Sequence, residues 1–202
     1  MPASLSEWDA KHQAAAGEPL AQPASFVREL LPLLPMGPAL DLACGTGRHT
    51  LLLASRRQPV TAVDGSKVAL EVLERGAREL QYEVTRIRDS SHILGASHGI
   101  ELVHADLVRA VLPALSFSLI LCVHYLQRSL FAAMQAALRR GGMLLFETYT
   151  RAQVDSLGAP SNPAYLLELG ELRAAFPELR IVFYRELRAG KGIASLIAQK
   201  AP

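Results

Sequence analysis

The residues with the plainest chemical purpose lie in the run ALDLACGTGRH, Ala39–His49. An apolar, β-rich stretch enters Gly45-Thr46-Gly47, and a helical pattern starts directly behind it. Glycines let a backbone turn sharply and approach a ligand closely, while a helix N-terminus presents unpaired N–H groups. Asp64 stands 19 positions after Gly45, near the end of the next apolar stretch, where a carboxylate can accept from two ribose hydroxyls. The pattern predicts an adenosine-containing cofactor bound across the C-terminal ends of strands. Two details bear on which one. The dinucleotide fingerprint GxGxxG wants a third small residue where this chain has Thr50, so close packing on a pyrophosphate is not provided. Asp41 lies inside the first stretch, four positions before Gly45, and a buried carboxylate is costly unless a cation or hydrogen-bond donor meets it. A cofactor with an ammonium group and no phosphates meets that demand better than a nicotinamide dinucleotide does. Capping of local backbone N–H groups is the plainer role open to Asp41.

Such a site needs strands and helices in alternation, and the chain alternates. Apolar runs predict strands at Ala39–Ala43, Pro59–Asp64, Ile100–Ala105, Phe117–Val123 and Met143–Thr148. Between them Arg48–Arg57, Lys67–Leu80 and Arg128–Arg139 carry apolar residues at three- and four-residue spacing, with Ser66 as a cap and Gly141-Gly142 as a stop. Strand–helix alternation of this length implies right-handed crossovers and a parallel sheet covered on both faces. After Thr150 the rhythm changes: a helix over Leu166–Phe176, then strands Leu179–Leu187 and Ile193–Lys200 around Ala189-Gly190-Lys191-Gly192, a hairpin. A helix near Ser25–Leu34 precedes the first strand. The tract Gln81–Gly99, with Thr85, Asp89, Ser90, Ser91, Gly95 and Ser97, reads as a long functional or mobile connection.

At 202 residues, half of them hydrophobic and 20% charged, the chain suits one α/β domain and excludes disorder as its dominant state. Lys+Arg 21 against Asp+Glu 19 leaves +2, which is not the charge of a protein built to wrap nucleic acid. The basic pairs Arg56-Arg57 and Arg139-Arg140 end helical patterns, where cations offset a helix dipole. The N-terminal MPASLSEWDAKH has acids and no apolar core of a secretory signal, and no run is long enough to span a membrane. Cys44 and Cys122 lack CxxC spacing, so reduced thiols and a cytoplasmic location are expected. The six histidines show no HxxxH or HExxH pairing, and no metal site is expected.

ALDLACGTGRH resembles motif I of the class I S-adenosylmethionine-dependent methyltransferases. VTAVDGS (Val60–Ser66) and VHADL (Val103–Leu107) resemble their second and third motifs, FSLILCVHYL (Phe117–Leu126) and LRRGGMLLFETY (Leu138–Tyr149) their fourth and fifth. The resemblance implies an α/β, Rossmann-like, doubly wound, mostly parallel seven-stranded sheet with an antiparallel C-terminal hairpin strand. It implies S-adenosyl-L-methionine as cofactor, its methionine moiety held by Asp41 and the backbone of Ala43, Cys44, Gly45, Thr46 and Gly47. By the same resemblance Asp64 accepts from the ribose, Gly65 leaves room beside the adenine, Asp106 accepts from the adenine amino group and Leu107 packs on its ring. Cys122 and His124 fall under the methyl-bearing sulfur, with core packing the plainer role of Cys122. EWDAKH (Glu7–His12) resembles the N-terminal WDxRY element of small-molecule methyltransferases of the tellurite-resistance type, in which Trp and Arg fold over the cofactor. Here Trp8 is present, while Lys11 and His12 replace Arg and Tyr. The expected organisation is one domain over 1–202: a helical cap over the cofactor at 1–38, a cofactor-binding core at 39–150, and a C-terminal helix and hairpin at 151–202.

Methyl transfer from a sulfonium asks the protein for proximity and orientation, and for a base only if the acceptor must lose a proton. The fourth motif reads Cys122-Val123-His124-Tyr125, not the Asn/Asp-Pro-Pro-Tyr/Phe of nucleobase amino-methyltransferases, and no Pro-Cys nucleophile follows a strand. No extra domain reads nucleic acid or protein, so a small-molecule acceptor is expected. His124 is the candidate base and Tyr125 its neighbour. Trp8, Arg128, Glu147, Tyr149 and Arg151 are candidates for the acceptor pocket, the two arginines for an anionic acceptor. Asn162-Pro163 and Tyr165 read as part of a lid or as a plain helix-starting turn. The rival classes are a nicotinamide-dependent oxidoreductase, a non-catalytic cofactor-binding partner subunit, and a methyltransferase acting on RNA or protein within a complex. Oligomeric state has no signal in the sequence.

Overall fold

The computed structural model describes residues 5–15, 21–87, 93, 95–157, 162–187 and 191–202. Two helices come first, α1 (Leu5–Ala14) and α2 (Ser25–Leu30), the second continued by a 3-10 turn over Leu31–Leu33 that Pro32 favours. Then follow β1 (Ala39–Leu42), α3 (Arg48–Ala54), β2 (Val60–Asp64), α4 (Lys67–Glu79), β3 (Val84–Ile87), β4 (Ile100–His104) and β5 (Phe117–Val123). The chain closes with α5 (Phe131–Ala137), β6 (Leu138–Tyr149), α6 (Ala152–Leu157), α7 (Glu171–Ala174), β7 (Leu179–Leu187) and β8 (Ile193–Lys200).

The strands form one sheet in the order β3-β4-β2-β1-β5-β6-β8-β7. All pairings from β3 to β6 are parallel, while β8 runs antiparallel to both β6 and β7. This is the expected doubly wound, mostly parallel sheet with its antiparallel hairpin, enlarged to eight strands by β3. That strand lies inside the tract read as a connection. Its four residues, VTRI, hold two apolar side chains and none is fully buried, so an edge position leaves no run for a sequence pattern to detect. Residues 88–92 and 94 of the same tract, and the hairpin's Ala189 and Gly190, lie outside the described residues.

Alternation along the central strands sorts the core into two layers. Leu40 and Leu42 of β1 join Ile120 and Cys122 of β5 and Phe146 of β6 on one face, where Phe131 and Phe176 stack around Phe146. Ala39, Leu119, Leu121 and Leu145 face the other way, against Phe26, Val27 and Leu53 of α2 and α3. α4 lays Leu70, Leu73 and Ala77 over Ala62, Ile100 and Leu102, and the Ser66 hydroxyl caps it as expected, accepting from Ala69 N at 3.1 Å. Among the described residues no helix is long and apolar enough to cross a membrane.

Three boundaries differ from expectation, two because a tertiary pairing overrides a local pattern and one because the backbone turns. The helix predicted over Arg128–Arg139 is a 3-10 turn (Arg128–Leu130) followed by α5, and β6 begins at Leu138, which pairs with Phe117. Gly141-Gly142 therefore stops no helix. Both lie within β6, where its register slips from Phe117↔Leu138 to Leu119↔Met143, and a Cβ on Gly142 would meet Arg139 O at 2.9 Å and Phe117 O at 3.1 Å. The helix predicted over Leu166–Phe176 shrinks to α7, because Leu167 N donates to Tyr149 O and Leu167 O accepts from Arg151 N, holding that segment extended. α3 ends at Ala54, short of Arg57, whose φ of 59° turns the chain away.

Gly142→Ala is expected to cost roughly 1–3 kcal/mol through overpacking of the bulge. At Gly141, where a Cβ meets nothing within 4 Å, alanine should cost only about 1 kcal/mol of left-handed strain. Urea denaturation of both variants checks the ranking, with a common m-value expected.

Candidate functional site

β1 is the place where the strand order reverses, with β2 on one side and β5 on the other. Open α/β sheets bind ligands at such a point, outside the carboxyl ends of the strands. Here the two chain exits next to it are bent open. Ala43 after β1 and His124 after β5 both adopt left-handed φ, 55° and 59°, a costly conformation for residues with a Cβ. Between them opens a cavity of about 670 Å³ that runs from Gly65, Asp106 and Leu107 at the β2–β4 end to His124, Tyr125 and Tyr149 at the β5–β6 end. Ala43, Cys44, Gly45 and Thr46 form its floor, and Asp64 stands beside them.

The floor is held by carboxylates. Asp64 accepts from Gly45 N on one oxygen and from Ser66 N on the other, both at 2.8 Å, which ties the glycine loop to the end of β2. Asp41 does not reach the cavity. It is buried in β1, and its partner is the Thr50 hydroxyl, which donates to it at 2.6 Å. The residue that breaks the dinucleotide fingerprint is thus the one that satisfies the buried acid. Burial, opposed by the Thr50 bond and reinforced by the nearby Asp64 charge, pushes the Asp41 carboxyl up to about 7. Gly47 is also off the cavity wall, and its lack of a side chain serves packing: a Cβ there would fall 2.1 Å from a methyl of Leu73.

α1 lies over one side. Leu5, Trp8 and His12 line the cavity, whereas Lys11 turns its ammonium onto the Trp8 ring, 4.2 Å from the centroid. Lys11 therefore stands outside the wall, and His12 occupies the inward position above Gly45. What fastens this helix is Asp9, which accepts from the Ser66 hydroxyl at 2.6 Å and from Val68 N at 3.4 Å. The Ser66 bond holds the Asp9 carboxyl below the usual range.

At the β5–β6 end, His124 stacks on Tyr149 at 4.8 Å between ring centroids, and its Nδ1 faces Arg48 Nη2 at 3.1 Å. An arginine only donates, so Nδ1 is the acceptor and the ring proton belongs on Nε2, 3.9 Å from Glu147 Oε1. Burial, with the Arg48 and Lys191 charges, lowers the His124 pKa to about 4, and the ring is neutral at neutral pH. Burial likewise raises the pKa values of Tyr125 and Tyr149.

Several residues expected in the acceptor pocket lie elsewhere. Arg128 grips Glu171 through Nε and Nη2 (2.5 and 2.9 Å) and donates to Ala164 O and Leu166 O, which fastens the C-terminal segment. Arg151 pairs with Glu168 at 2.6 Å. Glu147 is buried, accepts from the Ser195 hydroxyl at 2.6 Å and lies 3.6 Å from Arg185. Cys122 packs in the core, and both cysteines are free thiols that burial raises in pKa. The residues missed were Arg48 and His49, directly after the glycine loop, with Gln127. Arg48 follows Gly47 immediately, a position that a reading centred on strand ends passes over. Among the described residues no cluster of His, Cys, Asp or Glu is placed to hold a metal.

Two outcomes are expected. With its carboxyl raised in the fold, Asp41 keeps a proton that the unfolded chain has lost between pH about 4 and about 7. Its contribution to stability should therefore fall as pH rises through that window, and Asp41→Asn should flatten this slope in thermal melts. Asp9→Ala should speed amide exchange over α1 and the first turn of α4 roughly five-fold, the loss of one hydrogen-bonded partner, and leave the sheet unchanged.

Comparison with known proteins places these features. A family model described as a methyltransferase domain matches residues 39–142, from the start of β1 into β6. Trans-aconitate 2-methyltransferase of Rhizobium meliloti is 32% identical over 78 residues, 38% of this chain and 30% of that protein's length. Among solved structures, TehB from Haemophilus influenzae superposes with a TM-score of 0.68 at 17% identity, covering 96% of this chain and 67% of that one. An S-adenosylmethionine-dependent methyltransferase from Mesorhizobium loti gives 0.65 at 19% identity, covering 88% and 98%. The structural likenesses bear on fold alone. The family match spans the strands, the glycine loop and the acids that build the cavity, and the chain belongs to the class I S-adenosylmethionine-dependent methyltransferase family.

Proposed function

We propose that the protein transfers a methyl group from S-adenosylmethionine to a small-molecule acceptor. The observation that carries this reading is the single cavity wall running from Asp106 and Gly65, over Asp64 and the glycine loop, to His124 and Tyr149. At about 670 Å³ it lies within the ~300–1,000 Å³ of small-molecule sites. The residues present fit the cofactor. Asp64 has one lone pair on each oxygen committed to backbone N–H groups and others free for ribose hydroxyls. Asp106 is half-exposed at the far end and has one oxygen on Val108 N, so it can also accept from an adenine amino group, with Leu107 beneath the ring. A side chain on Gly65 would meet Leu5 at 2.6 Å and Ala105 O at 3.5 Å, so the room beside that ring depends on glycine.

The cofactor supplies an activated methyl on a sulfonium, and the chain supplies placement. Backbone groups of Ala43 to Thr46 hold the methionine half over β1. In this reading α1 covers the site through Leu5, Trp8 and His12, the described residues of 39–150 build its floor, and those of 151–202 complete the sheet edge as part of the same domain. His124 orients groups at the acceptor end through its hydrogen bond with Arg48. A small acceptor is further supported by a relative named for a small-molecule substrate. Two buried free thiols support a reducing compartment, the cytoplasm.

Calorimetric titration tests the donor site. S-adenosylhomocysteine is expected to bind at about micromolar Kd, with NADH silent, and Asp64→Ala should weaken binding about 10–100-fold, the value of hydrogen bonds to a charged group. Asp64→Asn, which keeps an acceptor oxygen, should fall between the two. Binding of NADH in place of the nucleoside thioether would sink the reading.

A further inference from the structure

Among the described residues lining the cavity, Arg48 is the one lysine or arginine. It is half-buried, and within 4.0 Å it meets no carboxylate among the described residues. Its bonds go to neutral acceptors: His124 Nδ1 at 3.1 Å and Gln22 O at 3.4 Å. A guanidinium carries five N–H donors, so most of this fork is uncommitted. Arg128 and Arg151, by contrast, are both neutralised by glutamates. A partly desolvated cation with neutral partners is incomplete until an anion reaches it.

Among the described residues at this end of the cavity no group is free to act as a base, and the other lining imidazole, His12, sits over Gly45. His124 can accept a proton on Nδ1 only by giving up the Arg48 bond and becoming charged beside a guanidinium. His49 Nε2 already accepts from Ala24 N at 3.1 Å. Glu147 is buried behind the wall under Ser195 and Arg185, and Tyr125 and Tyr149 are phenols. An acceptor bound here must arrive with its nucleophilic lone pair available. A protonated amine fails on that ground and is repelled by Arg48; a carboxylate satisfies both conditions.

Building on the methyltransferase reading above, we propose that the acceptor is a small carboxylic acid held by Arg48 and methylated on its carboxylate oxygen. Arg48 bonds His124 at the end of β5, whereas Asp64, Gly65 and Asp106 stand at the β2–β4 end, so the guanidinium would lie beyond the methionine half of a bound cofactor. One carboxylate oxygen takes the guanidinium while the other faces the sulfonium. A lone pair of that oxygen forms the new C–O bond to the methyl carbon as the S–C bond breaks and its electron pair passes to sulfur. Carboxylate and sulfonium become methyl ester and thioether, and no proton moves. The negative charge that Arg48 holds disappears in the product, which favours its release.

The test uses the whole chain with methyl-labelled S-adenosylmethionine and benzoate, phenylacetate, glutarate and citrate, set beside benzamide, phenethylamine, thiophenol and phenyl phosphate. S-adenosylhomocysteine binding is measured first on wild type and Arg48→Gln. If wild type does not bind it, the donor site fails and the methyltransferase reading falls with it. With binding established, carboxylates are expected to give label that alkali releases as methanol. Arg48→Gln should raise the acceptor KM about 10–100-fold, with kcat within a few-fold and the S-adenosylhomocysteine Kd unchanged. Arg48→Lys should recover part of the KM, since it keeps the charge without the fork. Three results overturn the proposal: alkali-stable product from the amine, thiol or phosphate; no carboxylate turned over or bound by the cofactor-loaded protein; or equal weakening of S-adenosylhomocysteine by Arg48→Gln, which would assign the guanidinium to the cofactor's own carboxylate.

Discussion

The Asp64 carboxylate ties two strand exits together, with Gly45 N on one oxygen and Ser66 N on the other, each at 2.8 Å. Parallel strands leave their C-terminal ends unconnected to one another, and the loops that follow would otherwise move independently. Charge-assisted bonds to backbone N–H groups fix them. From that fixed point the site is assembled outward. Ser66, positioned by its own N–H, gives its hydroxyl hydrogen to Asp9 and receives Ala69 N, so one side chain both starts α4 and fastens α1. The helix that lines one side of the cavity is thereby secured to the carboxylate at its floor through a single serine.

Burial divides the acids of the site by role. Asp41, enclosed in β1 with only Thr50 as a hydroxyl donor, is driven toward neutrality, whereas Asp64 beside it faces the cavity. The nearby Asp64 charge adds to the effect of burial on Asp41. At the opposite end, a neutral histidine stacks on a tyrosine and is hydrogen-bonded by an arginine.

Much of this was legible in the sequence where a pattern is local. The glycine loop, Asp64, Asp106 and the central strands announce themselves through runs and spacings, and Phe117–Val123, Leu179–Leu187 and Ile193–Lys200 lie where the residues place them. Three of the misses share one physical cause, partners distant in the chain. β3 exists because β4 offers it an edge; Leu138 is a strand residue because Phe117 is beside it; Leu167 is extended because Tyr149 bonds it. The arginines show this most clearly. Arg128 and Arg151 stand near strand ends as expected for a pocket, yet Glu171 and Glu168 take their charges. Arg48, in the first turn of α3, keeps its own. No single-chain pattern reports which cation has been neutralised.

The contact between Gly47 and Leu73 has a consequence for how this protein tolerates change. Leu73 is fully buried on α4 and touches no part of the cavity, yet its methyl groups occupy the space a side chain at position 47 would need. The curvature of the ligand loop is thus moulded from beneath by a helix. A smaller residue at 73 would relax that loop and a bulkier one would press on it. The tolerance of this core position is therefore set by what the loop above must bind as well as by the stability of the fold.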